Sequence, residues 1–317
     1  MKKFITNTGI LVFLFFPLRK IYRKYKSIQF SNAHARLRKL YKNVEGGILT
    51  FKVPEFKGYF DINVNSDLSS RLLLFKSYEP DIVQVLQNHL NVKKDVIDVG
   101  ANVGFYSVFF AKSIGDNQRV LSIEPTPGAL KLLKKNIQQN DCAEKVTIFN
   151  GVLSDTKGEL SINMIPGMEE YSSLGKLAHS AVDEKKKTSI QVSSETLDNL
   201  VAEYKLEPGI IKIDVEGAEF LVLNGAEETI KKYHPTFVIE VSDHLSKSLQ
   251  TTSSMLFQFL ENFNYKITDM HGSLINAVQR NQFNGDILAV SNFNNDTYKL
   301  SGLNVHANAI TSEEYTA

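Results

Sequence analysis

The chain has 317 residues, of which 43% are hydrophobic and 22% charged, and its 36 basic residues nearly balance its 35 acidic ones. This composition is ordinary for a soluble globular protein and supplies enough apolar side chains for a full core. The single cysteine, Cys142, excludes an internal disulfide framework and a cysteine-built zinc site, and it fits a reducing, cytoplasmic compartment.

Basic charge is concentrated at the N-terminus. Residues 1–45 hold eleven of the basic residues and one of the acidic ones, so this arm carries +10 and the remainder −9. Its apolar run, residues 9–18, is shorter than the roughly 20 residues that span a bilayer. The pattern favours a peripheral anchor on an anionic membrane surface; a helix that covers the domain and a short signal anchor are the alternatives. No nucleic-acid partner is expected, because the body lacks a basic face.

From residue 92 onward, short β-branched runs alternate with helical patterns, which is typical of a parallel sheet covered by helices. Strands are predicted at 95–99, 119–124, 145–153, 209–215 and 236–241, and helices at 106–114, 128–140, 218–233 and 253–264. The runs YKITDM and GDILAVSN predict two further strands joined as a hairpin. Together these elements indicate an α/β fold.

Two regions interrupt this alternation. Residues 155–167 predict a short hairpin, and residues 168–189 predict a mobile loop. Long loops in compact α/β domains often act as lids or bind substrate, and an insertion without a role is the alternative. The sequence is divided into the arm, a region of N-terminal strands and a lead-in helix, a main domain and a tail, at residues 1–45, 46–94, 95–292 and 293–317.

A glycine turn follows the first strand of the main domain, in the sequence DVIDVGANVGFYS. Gly100 and Gly104, with Asn102 between them, match the dinucleotide fingerprint poorly, which disfavours a nicotinamide dehydrogenase. Asp98 at the strand tip suits a cationic ligand better than a pyrophosphate. Glu124 ends the next strand, 24 residues after Gly100, where an acid can accept hydrogen bonds from both ribose hydroxyls. Alternatively, Glu124 is an acid at the start of the following helix.

Polar residues alternate with apolar ones in the sequence IIKIDVEGAEF. Lys212, Asp214 and Glu216 then share one face of a strand that a parallel sheet would bury, which predicts a solvated functional cleft. The alternative is a Lys212–Asp214 pair that closes an edge strand. Glu240 ends the next strand, about 5 Å from the Asp214 row, and His244 follows it.

Five segments resemble the FkbM family of S-adenosylmethionine-dependent methyltransferases in sequence and order: DVIDVGANVGFYS, IEPTP, GVLSD, IKIDVEGAEFLVLNGA and PTFVIEVSDH. SYEPDIVQVL resembles the lead-in helix of that family, and the resemblance runs over about residues 75–290. It implies a Rossmann-like class I methyltransferase fold, with a seven-stranded mixed sheet, one antiparallel strand and helices on both faces. It also implies cofactor contacts from Asp98, Gly100, Asn102 and Gly104 to the methionyl part, from Glu124 to the ribose and from Asp155 to the adenine.

The resemblance further implies methyl transfer to a hydroxyl group of a sugar, glycan or natural product. The catalytic candidates are Lys212, Asp214, Glu216, Glu240 and His244. We expect Asp214 to orient the acceptor or bind a cation, with Glu240 or His244 as the general base. Several carboxylates together also suit Mg²⁺, so this ion is a candidate cofactor. The alternative function is a non-catalytic, membrane-associated scaffold that keeps the fold.

Overall fold

The computed structural model describes residues 47–175 and 187–294. Residues 1–46, residues 176–186 of the predicted loop and residues 295–317 lie outside this part of the chain, so the membrane-surface anchor stays a prediction. The division of the chain into four segments also stays a prediction. No helix among the described residues is both long and apolar enough to cross a membrane.

Strands and helices alternate along the described chain. The strands are β1 (Ile48–Val53), β2 (Gly58–Asn63), β3 (Asp95–Val99), β4 (Val120–Ile123), β5 (Val146–Phe149), β6 (Val152–Leu153), β7 (Gly158–Met164), β8 (Thr188–Glu195), β9 (Pro208–Ile213), β10 (Thr236–Ser242), β11 (Tyr265–Asp269) and β12 (Asn284–Ser291). The α-helices are α1 (Asp67–Phe75), α2 (Pro80–His89), α3 (Phe105–Ala111), α4 (Pro127–Gln139), α5 (Leu197–Tyr204), α6 (Glu219–Asn224), α7 (Glu227–Tyr233), α8 (Asp243–Ser246), α9 (Ser253–Asn262) and α10 (Ala277–Arg280).

Seven of the strands form one mixed sheet in the order β11-β12-β10-β9-β3-β4-β5. β12 runs antiparallel to both of its neighbours, and the other adjacent pairs are parallel. This confirms the predicted seven-stranded sheet with one antiparallel strand. The chain order reverses between β3 and β9, and ligands of open α/β sheets bind at the carboxyl ends of strands at such a point.

Helices cover both faces of this sheet because successive side chains of each strand point to opposite faces. Val96 and Ile210 belong to a core cluster with α1 to α4 and the β1–β2 hairpin. Ile97 and Ile211 belong to a second cluster with α5, α6, α7 and α9. Each central strand is therefore buried on both faces, as its nearly continuous apolar sequence indicates.

The predicted strand 145–153 is two strands in two sheets. β5 belongs to the large sheet, whereas β6 belongs to a small sheet of order β6-β8-β7. The chain changes sheet at Gly151, where a Cβ would lie 2.5 Å from the Ser193 carbonyl oxygen. The hairpin predicted within residues 155–167 is also wrong, because β7 pairs with β8 on the far side of the long loop.

The predicted helix 218–233 is likewise two helices, α6 and α7. They separate at Gly225, where a Cβ would lie 2.2 Å from the Ser154 carbonyl oxygen. β11 and β12 are antiparallel neighbours, as a hairpin requires, but residues 270–283 between them contain α10 rather than a tight turn.

Candidate functional site

The glycine turn after β3 packs against the loop after β9, backbone to backbone. Gly100 has a φ of +82° and Gly104 a φ of +93°, both in the left-handed region that favours glycine. A Cβ at Gly100 would lie 1.8 Å from the carbonyl oxygen of Asp214. The glycine at position 100 thus lets the turn and the Asp214 loop touch, which sequence spacing alone does not reveal.

Replacing Gly100 with alanine is expected to lower the free energy of unfolding by about 2–4 kcal/mol, since alanine is strained at this φ and its methyl group would displace the Asp214 loop. Urea denaturation measures the change. The matched control is Gly158→Ala on β7, where a Cβ would meet no atom within 4 Å. This control should change stability by less than about 0.5 kcal/mol. Equal stability of the two variants would contradict the packing described.

One cavity is lined both by two predicted cofactor residues, Gly100 and Asn102, and by two predicted catalytic residues, Lys212 and Asp214. It measures about 300 Å³ when counted out to open solvent. Its walls come from α1, the connection between α1 and α2, the glycine turn, α3 and the end of β9. They comprise Leu68, Tyr78, Gly100, Ala101, Asn102, Val103, Phe105, Tyr106, Lys212 and Asp214. The strand tips at the reversal of chain order therefore open into a single recess.

Lys212 is buried at the base of this cavity. Its Nζ lies 3.0 Å from Asp214 Oδ2 and 4.5 Å from the centroid of the Tyr106 ring. Burial alone would lower the pKa of Lys212, but the negative charges of Asp214, Asp98 and Glu79 outweigh burial and raise this pKa. The ammonium group is thus held charged inside the protein by surrounding carboxylates.

The buried position of Lys212 contradicts both predictions made for Lys212, Asp214 and Glu216, the solvated cleft and the edge strand. The solvated cleft is wrong for Lys212, whose side chain is only 6% exposed. The edge-strand alternative is wrong as well, because the Lys212–Asp214 pair exists but β9 lies between β3 and β10. Glu216 does not continue the row either, since β9 ends at Ile213 and Glu216 has a φ of +51°. The predicted alternation ends where the strand ends.

Asp98 lies beneath the glycine turn rather than at an open strand tip. Its side chain is fully buried, and its Oδ2 accepts a hydrogen bond of 2.6 Å from Ser107 Oγ. Burial raises the pKa of Asp98, while Lys212, its register neighbour on β9, opposes that rise. Among the described residues, Asp98 Oδ1 has no hydrogen-bond partner. A buried carboxylate oxygen without a partner is costly and marks a place for a donor or a cation.

Glu124 is joined to the glycine turn. Its Oε2 accepts a hydrogen bond of 2.9 Å from the backbone N–H of Asn102, and its Oε1 accepts bonds from the N–H and Oγ1 of Thr126. Burial raises the pKa of Glu124 to about 7. The contacts with Thr126, directly before α4, also match the alternative interpretation of an acid at a helix start.

A cluster of acids surrounds Asp214 on the β10 side of the cavity. Ile213 and Ile239, the residues directly before Asp214 and Glu240, are register neighbours on β9 and β10, which agrees with the short separation predicted for the two acids. The charge of Asp214 raises the pKa of Glu240. Glu240 also faces Asp286, its register neighbour on β12, whose pKa burial raises to about 7. Burial raises the pKa of Glu216 as well, with Asp214 adding to the shift.

Two predicted site residues lie on the protein surface. His244 is exposed on α8. Asp155 is exposed after β6, where its Oδ1 accepts a hydrogen bond of 3.1 Å from Ser154 Oγ. Both positions follow strand ends in sequence. However, a short helix carries His244 to the surface, and β6 carries Asp155 to the small sheet.

Sequence reasoning missed the contribution of the lead-in region. Glu79, with a φ of +45°, accepts a hydrogen bond of 2.5 Å from the Tyr106 hydroxyl, and Tyr78 lines the cavity. The signal was present in SYEPD, where an acid directly precedes a proline that starts a helix. The sequence predicts only a lead-in helix here, because the contact between Glu79 and Tyr106 spans 27 residues.

The described part of the long loop also reaches the site. Glu170 Oε1 accepts hydrogen bonds from Ser66 Oγ and from the N–H of Asp67, at the start of α1. Ser173 Oγ donates a hydrogen bond of 2.7 Å to the carbonyl oxygen of Glu216. No feature of this polar stretch predicted which helix it would contact.

Comparison with known proteins identifies the family of this site. The sequence model described as "Methyltransferase FkbM domain" matches residues 98–267, more than half of the chain. The chain belongs to the FkbM methyltransferase family. This family consists of S-adenosylmethionine-dependent methyltransferases, so the resemblance found in the sequence and the class I methyltransferase fold are confirmed.

Individual relatives of this FkbM chain are distant. "Methyltransferase sdnD" of Sordaria araneosa is 28% identical over 157 residues, covering 42% of this chain and 60% of that protein. The AMB antimetabolite synthetase AmbE of Pseudomonas aeruginosa is 24% identical over 216 residues, covering 58% of this chain and 10% of that protein. The chain therefore spans less than two thirds of either relative. A solved FkbM methyltransferase from Methylobacillus flagellatus KT is 17% identical, with a TM-score of 0.42 over 63% of this chain and 44% of that chain.

In the described part of this FkbM chain, no group of three or more His, Cys, Asp or Glu side chains is arranged to hold a metal ion. Asp214 instead forms an ion pair with Lys212.

Proposed function

We propose that this chain transfers the methyl group of S-adenosylmethionine to a hydroxyl group of a sugar, glycan or other natural product. The observation that carries the proposal is the single cavity shared by the glycine turn and Asp214. A methyl donor held at the turn and an acceptor held beside Asp214 would then be adjacent. Such alignment alone can contribute about 7–11 kcal/mol to lowering a barrier.

The residues at the cavity fit the cofactor. When bound, S-adenosylmethionine supplies a methyl group on a cationic sulfonium, whose sulfur becomes a neutral thioether after transfer. Carboxylates stabilise such a cation: Asp214 lines the cavity, and Asp98 is buried beneath the glycine turn, with one oxygen lacking a partner among the described residues. The left-handed turn at Gly100 and Gly104 presents backbone without a Cβ. Glu124, bonded to Asn102 of the turn, would accept the ribose hydroxyls.

Turnover tests the proposal. The full chain is incubated with S-adenosylmethionine and a panel of saccharides and hydroxylated natural products, and release of S-adenosylhomocysteine is followed. We expect at least one acceptor to gain a methyl ether, identified by mass spectrometry and NMR. Transfer only to nitrogen or carbon would overturn the hydroxyl assignment. Cofactor binding without transfer to any acceptor class would favour the scaffold alternative. Gly158→Ala serves as the active control.

The affinity for S-adenosylhomocysteine, which carries the same ribose, is expected to rise with pH. Ribose hydroxyls donate to the ionised carboxylate of Glu124, and the pKa of that group is about 7. Raising the pH from 6 to 8 ionises the group, so affinity should increase about tenfold. Calorimetry at each pH measures this change. Glu124→Gln should bind more weakly and lose the pH dependence, and a dependence that survives in this variant would exclude Glu124 as its source.

A further inference from the structure

The side chain of Asn136, on α4, holds a backbone carbonyl group of the glycine turn. Its Nδ2 donates a hydrogen bond of 2.7 Å to the carbonyl oxygen of Val103. Val103 lines the cavity, and both residues are buried. A buried carbonyl oxygen needs a hydrogen-bond donor, and Asn136 supplies one. Through this bond, α4 acts on the wall of the cavity.

Asn136 also holds the β1–β2 hairpin. Its Nδ2 donates to the carbonyl oxygen of Asp61 at 3.1 Å, and its Oδ1 accepts from the N–H of Asp61 at 2.8 Å. The same Oδ1 accepts a hydrogen bond from Gln139 Nε2. An asparagine amide offers two donor hydrogens and two acceptor positions, so all four are used here. One side chain therefore fixes the glycine turn relative to the hairpin.

The peptide group that Asn136 holds is fixed by hydrogen bonds rather than by sterics. This peptide joins Val103 to Gly104; its carbonyl oxygen accepts from Asn136, and its N–H donates to the carbonyl oxygen of Ala101 at 2.8 Å. Gly104 has a φ of +93°, and glycine adopts positive and negative φ values with similar ease. Removing the bond from Asn136 would leave this peptide with half of its restraint.

Packing brings α4 against the turn at the same place. A Cβ on Gly104 would lie 2.7 Å from Leu133 Cδ1. Leu133 precedes Asn136 by three residues, so both side chains lie on one face of α4. The turn is thus held on this face by a close contact at Leu133 and by a hydrogen bond at Asn136.

We propose that Asn136 is a positioning residue for the methyl donor: it fixes the Val103–Gly104 peptide, and with it the shape of the turn that receives S-adenosylmethionine. This inference rests on the cofactor site of the proposed function and does not depend on the acceptor. Asn136 is fully buried, so it acts through the turn and does not touch the ligand. The hairpin that it holds precedes residues 98–267, so a region outside the matched family domain supports the cofactor site.

Asn140, directly after α4, provides a matched control. It is also buried, and its amide makes the equivalent bonds to the hairpin: Nδ2 donates to the carbonyl oxygen of Tyr59 at 2.6 Å, and Oδ1 accepts from the N–H of Tyr59 at 2.9 Å. Among the described residues, the other hydrogen bonds of this side chain go to the Asn136 carbonyl and to Lys112. Asn140 therefore shares the structural role of Asn136 without the contact to the turn.

Calorimetric titration of S-adenosylmethionine into the full chain separates the two roles. Leaving a buried acceptor without its donor shifts an equilibrium by about 5- to 100-fold, so Asn136→Ala should weaken binding by a factor in this range. Asn140→Ala should lose a similar amount of stability in urea and bind as the wild type does. Asn136→Asp, which keeps the volume but cannot donate when ionised, should also bind weakly and serves if the alanine variant does not fold. Full affinity in a folded Asn136 variant, or equal losses at both positions, would overturn the inference.

NMR tests the contact without any ligand. The chain has only two Val–Gly pairs, Val99–Gly100 and Val103–Gly104, so labelling with carbonyl-¹³C valine and ¹⁵N glycine selects two amide signals. Asn136→Ala should shift or broaden the Gly104 signal and leave that of Gly100, whose N–H donates to the Ile123 carbonyl oxygen at 3.0 Å. Asn140→Ala should leave both signals in place.

The NMR and binding results together distinguish the two proposals. An unchanged Gly104 signal in Asn136→Ala would overturn the positioning role even where the wild type binds S-adenosylmethionine. A shifted Gly104 signal together with no cofactor binding to the folded wild type would instead overturn the cofactor site of the proposed function, and the positioning role with it.

Discussion

Replacing Lys212 with methionine should lower the free energy of unfolding at pH 7 by about 3–5 kcal/mol, which is the usual cost of removing one partner from a buried ion pair. Methionine fills a similar volume, so the loss comes from charge rather than from a void. Asp214 and Asp98 would be left without the ammonium that stabilises their ionised forms. Urea denaturation of the two proteins measures the difference.

The stability lost in Lys212→Met should be larger at pH 8 than at pH 5. Lys212 has a raised pKa, so its own contribution is complete throughout pH 5–8 and disappears only as the pH rises through that higher value. In the variant, the remaining carboxylates can take up protons at pH 5, so the destabilisation should be smaller there than at pH 8. Lys231→Met is the control, because its ion pairs lie on the surface and contribute at most about 1 kcal/mol. An equal, pH-independent loss in both variants would contradict the buried charge cluster.

Replacing Phe56 with alanine should cost about 3–5 kcal/mol of stability, the range for removing a buried phenylalanine. The Phe56 ring is fully buried and lies 5.0 Å, between centroids, from both Phe105 and Tyr106. It also contacts Tyr78 at 6.2 Å. All three of these neighbours line the cavity, so the substitution should weaken cofactor binding as well as folding.

Two further variants distinguish the loss of packing around Phe56 from the loss of a hydrophobic side chain in general. Phe56→Leu should retain more of the stability than Phe56→Ala, because it keeps most of the buried volume. Leu274→Ala, at a side chain with 67% relative exposure, should change stability by less than about 0.5 kcal/mol. Thermal denaturation followed by circular dichroism measures all three proteins. Unchanged cofactor affinity in a folded Phe56→Ala protein would show that this aromatic cluster does not shape the cavity.

The sheet was predictable from sequence because strand composition and strand tips are local signals. The observed bounds of β3, β4, β9 and β10 differ from the predicted bounds by at most two residues. Spacing also indicated the glycine turn and Glu124 as candidate cofactor residues, which stays a prediction, and the structure joins them through the N–H of Asn102. Both features are visible in a short stretch of sequence, because each lies at the end of a strand.

The environment of Lys212 was not predictable, because it depends on residues far apart in the sequence. An alternating strand indicates which side chains share a face, but not whether water or protein covers that face. Here Glu79 precedes Lys212 by more than a hundred residues and Asp98 lies on the neighbouring strand. For the same reason His244 was misplaced, since a single helical turn after β10 is enough to direct it to the surface.

Calorimetric titration of S-adenosylmethionine into the full chain tests the central claim most directly, with Asp98→Asn and Glu124→Ala measured beside it. We predict saturable binding at one site in the wild type, weakened at least tenfold in both variants, while Gly158→Ala binds as the wild type does. Circular dichroism confirms that each protein is folded. Absence of binding to the folded wild type, or full affinity in both variants, would contradict a cofactor site at the glycine turn.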